Sequence, residues 1–222
     1  MLAPKERLLV VEGNNDYHAI LHVLRETGVL ATNLNPQSSP LDIVKAGNKK
    51  EVIEDIKSRS KESNRKQIGF VLDADHVTGD PPGCQPSWHS VRHELQRIGV
   101  QAPTLLDPLG FIGDLGSGGP RIGVWIMPDN TADGALEEFL FSPVDQQQPL
   151  MLHAKASTQA ANLQHGANFL PSKQSKAELS CWLAWQEEPA MTYGQAVQAG
   201  KFDLSRPGAQ RFCDWIRRLF DL

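Results

Sequence analysis

Short apolar runs alternate with segments of helical period through most of this chain, and no other feature restricts its fold as tightly. Arg7–Val11, Leu41–Val44, Ile68–Leu72 and Ile122–Met127 are brief apolar runs bounded by polar residues, the mark of buried strands. Between them, apolar residues recur every three or four positions: Tyr17, Ile20, Leu21 and Leu24 after the possible caps Asn14 and Asn15; Val52, Ile53 and Ile56; Trp88, Val91, Leu95 and Ile98 after the loop Pro81-Pro82-Gly83. Asp133 is placed to cap a further helix carrying Leu136, Phe139 and Leu140. Strands alternating with helices of this length predict βαβ units and an α/β fold, a mostly parallel sheet flanked by helices.

Beyond residue 150 the pattern changes. Residues 152–165 read as weakly helical. Ser175-Lys-Ala-Glu178 has capping-box spacing ahead of Leu179, Trp182 and Leu183, and Ser205 and Pro207 open a last helix striped with Phe212, Trp215, Ile216 and Leu219. The expected organisation is an α/β domain over residues 1–150 with a C-terminal helical extension, 151–222, packed on it. Gly110 to Pro120, rich in glycine, reads as a loop or insertion between elements.

Composition narrows the setting. With 40% hydrophobic and 22% charged residues the chain can build an ordinary core. Its apolar runs are far too short to span a bilayer. Met1 to Arg7 is charged and runs directly into a strand, unlike a signal peptide. Cys84, Cys181 and Cys213 are odd in number and without CxxC spacing, which points to reduced thiols in a cytoplasmic protein rather than to disulfides or structural zinc. The net charge of −4 does not mark a nucleic-acid binder as a whole, so any such contact needs a local basic surface. Residues 45–66 offer one, with eight Lys or Arg against four Asp or Glu. Such runs are usually solvated helix faces. The functional alternative is phosphate contact through Lys49, nearest the sheet edge, and Lys50.

The chemistry lies at the strand ends. The first strand runs into Val11-Glu12-Gly13-Asn14-Asn15-Asp16 and the third into Val71-Leu72-Asp73-Ala74-Asp75. In a parallel sheet both leave from the carboxyl edge, where open α/β sheets bind ligands. If the third strand stays extended, Asp73 and Asp75 point to one side. Several carboxylates gathered there repel one another unless a cation sits among them, and oxygen donors without clustered His or Cys favour Mg²⁺ or Mn²⁺ over zinc. Acidic residues also end strands as turn formers and caps. The conjunction of Glu12 with the Asp-x-Asp pair on one edge is what favours a metal site.

A strand ending in Glu-Gly followed by a later one ending in Asp-x-Asp resembles the Toprim pattern of topoisomerases, bacterial primases and OLD-family nucleases. Val-Glu-Gly-x-x-Asp is most similar to the OLD-type and small stand-alone Toprim-like proteins. Ile43-Val-Lys-Ala-Gly-Asn-Lys49, Trp125-Ile-Met-Pro-Asp-Asn130, Gly134-Ala-Leu-Glu137, and Lys176 with Trp182-Leu-Ala-Trp185 resemble the same group. The resemblance spans the first ~140 residues, a normal domain length, and the remainder more loosely. It implies a Mg²⁺-dependent nuclease or related phosphoryl-transfer enzyme acting on DNA or RNA, with Glu12 as general acid/base and Asp73 and Asp75 holding the metal. Asp16 and Glu137 are candidates for a second metal or for supporting contacts; both also lie early in predicted helices, where a carboxylate complements the helix dipole. Some Toprim proteins carry a third acid two positions after Asp-x-Asp; here that position is Val77, which offers no ligand. Lys176 is available to neutralise a phosphate, although a lysine near a helix start usually faces water. No GxxxxGK[ST] is present, so an ATPase partner would be a separate chain. The alternative is a Toprim-like binding or regulatory module without turnover, and the sequence leaves an oligomer open.

Overall fold

The computed structural model describes residues 5–32, 38–76, 83–116 and 118–222. Five strands and eight α-helices follow in the order β1 (Arg7–Val11), α1 (Asn14–Glu26), β2 (Asp42–Lys45), α2 (Lys49–Arg59), β3 (Gln67–Asp73), α3 (Cys84–Arg97), β4 (Phe111–Asp114), β5 (Arg121–Met127), α4 (Leu136–Phe141), α5 (Pro149–Gln164), α6 (Gln174–Ala184), α7 (Tyr193–Gln198) and α8 (Pro207–Phe220). A short 3₁₀ turn, Pro171–Lys173, precedes α6. Among the described residues no helix is long and apolar enough to cross a membrane. Val77, Pro81 and Pro82 lie outside the described residues.

The strands form one sheet in the order β2-β1-β3-β5-β4, parallel except for β4. The α/β architecture expected from the alternation of runs is therefore present, in a Rossmann-like arrangement. From β1 the chain goes to β2 on one side and then to β3 on the other, so the order reverses at β1 and β3. Open sheets bind ligands beyond the carboxyl ends of the strands at such a switch point.

Successive residues of each strand point to opposite faces, and both faces are covered. Leu8, Val10, Ile68, Phe70 and Leu72 pack with Val52 and Ile56 of α2 and Trp88, Val91 and Leu95 of α3. Leu9, Val11, Val71, Trp125 and Met127 pack with α1, α8 and the inner faces of α4 to α7. This second layer joins residues on both sides of position 150 in one core. The last helix rests on the middle of the sheet over Gly69 and Gly123, which face each other across β3 and β5. A Cβ at Gly123 would lie 2.5 Å from Leu219 Cδ2 and 3.0 Å from Trp215 Cζ2; one at Gly69 would meet the same Leu219 at 3.0 Å. The paired glycines leave the flat seat into which the apolar stripe of α8 fits.

Several local expectations are corrected. The glycine-rich segment after Gly110 contains β4, an antiparallel edge strand whose four residues pair with β5, where a loop is expected. Asp133 does not cap α4. Its Oδ1 accepts from Cys84 N of α3 at 2.8 Å, while Glu138 turns back to accept from Ala135 N at 2.7 Å. Gly13, not Asn14 or Asn15, precedes α1, and Asp16 accepts from Gly13 N at 3.1 Å. Ser175 and Ser205 cap nothing: α6 starts one residue before Ser175, and Ser205 bonds to Asp203 at 2.5 Å. Asp133 is taken from its own helix by tertiary packing, which brings the start of α3 within reach.

Candidate active site

Glu12 directly follows β1 and Asp73 ends β3, so the adjacent strands of the switch point bring them together. Glu12 Oε1 accepts from Asp73 N at 2.7 Å, which ties the two strand ends. The Asp73 carboxylate points the other way along the edge, where its Oδ1 accepts from Leu136 N in the first turn of α4 at 3.0 Å. Asp16 closes the turn between β1 and α1. Glu137, next to Leu136, accepts from Tyr193 OH at 3.3 Å and pairs with Lys176 Nζ at 2.9 Å. One sheet edge thus gathers Glu12, Asp16, Asp73 and Glu137 from β1, α1, β3 and α4.

Burial raises the proton affinity of Glu12, Asp16 and Asp73, and mutual repulsion adds to it. Burial pushes the Glu12 carboxyl up to about 7, with the charges of Asp16 and Asp75 adding to the shift and the bond from Asp73 N opposing it. Burial likewise raises Asp16, and Glu137 contributes. Burial lifts Asp73 well above the usual carboxylate range, and Glu12, Asp16, Glu137 and Asp75 all push the same way.

Asp75 departs from the expected arrangement. Its backbone is left-handed (φ 59°) and forms an isolated bridge to Gly134, so the strand has ended before it. Its carboxylate leaves Asp73 and pairs with Lys49 Nζ at 2.8 Å. The expectation that the two aspartates point to one side is corrected, because an extended strand is its premise. Lys49 also differs from expectation: it is buried and donates to Ala74 O at 2.9 Å and Ser87 Oγ at 3.1 Å as well. An ammonium group held by those acceptors is not on the surface to meet phosphate. Lys50 is exposed and stands 3.9 Å from Glu54. Much of the basic stretch neutralises itself, with Arg59 on Asp55 and Glu62, and Arg65 on Glu62 and Asp42.

Besides Lys49, the C-terminal segment brings cations to the carboxylates. A cleft of about 330 Å³ beside Asp75 and Glu137 is lined also by His76, Glu138, Lys173 and Lys176. Of these cations the sequence singles out only Lys176. Tyr193 was equally hidden, although Thr192-x-x-Gln195 is a capping box that announces α7; Gln195 Oε1 accepts from Thr192 N at 2.9 Å. Trp182 is buried, whereas Trp185 is 43% exposed.

The donor chemistry suits a hard cation: the converging groups are carboxylate oxygens, with buried negative charge that a divalent ion would offset. Among the described residues no three His, Cys, Asp or Glu side chains already stand in metal-ligating positions. Each acid instead spends at least one oxygen on an N–H, a hydroxyl or an ammonium group. Comparisons with curated proteins and with solved structures return no match. A family model described as protein of unknown function (DUF3226) matches residues 6–221, and the chain belongs to that family.

Proposed function

We propose that the chain is a Toprim-like enzyme that cleaves or transfers phosphodiesters of DNA or RNA, with Mg²⁺ or Mn²⁺ as cofactor. The observation that carries this reading is the bond between Glu12 and Asp73 at the sheet's switch point, with Asp16 and Glu137 drawn to the same edge. Asp73 and Glu137 are the residues to hold the metal, with Asp16 in support; Asp75 takes part only if it leaves Lys49. A bound cation supplies charge stabilisation for the phosphoryl oxygens.

The protein's own part is proton transfer and positioning. Glu12, with a proton affinity near neutrality, takes a proton from the attacking water or hydroxyl, or returns one to the leaving oxygen. Lys176, half-exposed beside Glu137, and Lys173 across the cleft balance phosphate charge. In this reading the chain works among the reduced thiols of the cytoplasm, and any ATPase partner is a separate chain.

Cleavage of supercoiled DNA, single-stranded DNA and RNA, each with Mg²⁺ and with Mn²⁺, tests the proposal. Metal-dependent cutting that is lost in Glu12→Gln supports it. Absence of cutting together with intact metal and nucleic-acid binding would favour the second reading, a regulatory module without turnover. The Lys49–Asp75 pair favours that reading, since a built-in ammonium already occupies one of the acids.

A further inference from the structure

A second cavity, of about 350 Å³, opens on the other side of α4. It is lined by Pro128, Asp129, Phe139, Ser142, Arg206 and Arg211 among others, and Glu138 borders both this cavity and the first cleft. Two features give it an anion's chemistry. Arg211 has no hydrogen-bond or ion-pair partner among the described residues, and its Nε is out of reach of solvent as well. Leaving a guanidinium unpaired at a half-buried position is costly, and an anionic ligand would relieve it. Arg206, 3.5 Å from Asp203, adds a second cation at the rim, where no side chain caps the start of the fourteen-residue α8.

The two carboxylates in the lining offset part of this charge, Asp129 through its attraction to Arg211, but their oxygens are engaged elsewhere and neither forms a salt bridge with an arginine of the cavity. Asp129 Oδ1 accepts from Thr131 N, Thr131 Oγ1 and Ala132 N at 3.0, 2.8 and 2.9 Å. Glu138 serves Ala135 N and faces His76.

We propose that this cavity is a second phosphate subsite and that the substrate is a single-stranded nucleic acid, a proposal that rests on the phosphodiester reading above. One backbone phosphate sits on Arg206 and Arg211 while another phosphodiester lies against Glu12 and Asp73. Helix α4 lies between the two places, and a helix with its side chains is roughly 10–12 Å across. An extended sugar–phosphate strand crosses that span within a couple of nucleotides. The cavity volumes lie at the low end of ligand pockets, roughly 300–1,000 Å³, with room for one strand and not for a stacked pair.

The test compares wild type with Arg206→Gln/Arg211→Gln on three substrates: a short single-stranded oligonucleotide (as DNA and as RNA), its duplex, and bis(p-nitrophenyl) phosphate, which has no second phosphate. KM for the single strand should rise about tenfold, and the log–log salt dependence of binding should become shallower by about 0.7, the value for one lost phosphate contact. Turnover of the small diester should not change. Arg206→Gln alone, at a partly exposed position, gives a smaller shift in the same direction and covers the case in which the double variant folds poorly. If the small diester is cut while the variants keep wild-type KM and salt slope on the single strand, the subsite is wrong and the phosphodiester reading stands. If duplex is cut as well as single strand with equal arginine dependence, the substrate class is wrong. If wild type hydrolyses none of the three, the phosphodiester reading falls and takes the subsite with it.

Discussion

Replacing Glu12 by glutamine tests the electrostatics of the site without any substrate. The wild-type carboxyl titrates at about 7 in the folded protein against 4.5 as a free side chain. Between those values the native state holds a proton that the unfolded chain has lost, so stability falls as pH rises from about 4.5 to about 7 and is flat above. At about 1.4 kcal/mol per pKa unit, ionising Glu12 in place costs the fold roughly 3 kcal/mol at pH 8. The part of Glu12 that meets solvent makes this a ceiling. Glutamine keeps an oxygen for Asp73 N and carries no charge, so the variant should match wild type near pH 4.5 and exceed it at pH 8. For a chain of this length the gain corresponds to a rise in Tm of at most about 6–12 °C. Urea denaturation and thermal scans at pH 4.5, 6 and 8, with chelator present, measure it. Parallel stability curves for the two proteins across that range, or a variant weaker than wild type at pH 8, would refute the reasoning. If Glu12 also transfers the proton in turnover, the same change lowers the rate by about 10²–10⁴-fold.

Burial and repulsion raise the proton affinity of Asp16 and Asp73 and bring Glu12 to about 7, so Mg²⁺ or Mn²⁺ binding near pH 6.5 should release protons; calorimetry in buffers of different ionisation enthalpy reads the number, and a heat independent of buffer would count against a site on these acids. Asp73→Asn should weaken that binding more than Asp75→Asn, because Asp75 is turned to Lys49; equal losses in calorimetry would restore the pair to one metal. Lys49→Met should destabilise by about 3 kcal/mol or more by leaving Asp75 unpaired, while Lys50→Glu leaves the denaturation midpoint within about 0.5 kcal/mol. Gly123→Ala should cost about 1–3 kcal/mol through overpacking against Leu219 and Trp215; an unshifted Tm would mean that α8 is not seated on the sheet as described.

The sequence by itself determined the parts of this protein that local periodicity controls. Four apolar runs marked β1, β2, β3 and β5 because a buried parallel strand has to be apolar throughout, and the helical stripes marked α1 to α4, α6 and α8 because each needs one face to bury. Glu12 and Asp73 were legible as edge residues for the same reason: parallel strands that run in one direction deliver their carboxyl ends to one side. The edge strand β4 was not legible, since Phe111 to Asp114 is short, contains a glycine and is held by pairing with β5 rather than by its own pattern. Tertiary structure alone decided what each polar side chain faces. Asp75 turns to Lys49 because the chain leaves the sheet after Asp73, and Lys49 is buried because the first turn of α2 packs against that exit. Lys173, Lys176 and Tyr193 reach the acids of the first half only because helices of the second half share its core, and Arg206 and Arg211 line the cavity beyond α4 only because α8 sits on paired glycines. Local pattern records which residues need burial; the direction of a charged side chain depends on partners far away in the chain, and those the fold supplies.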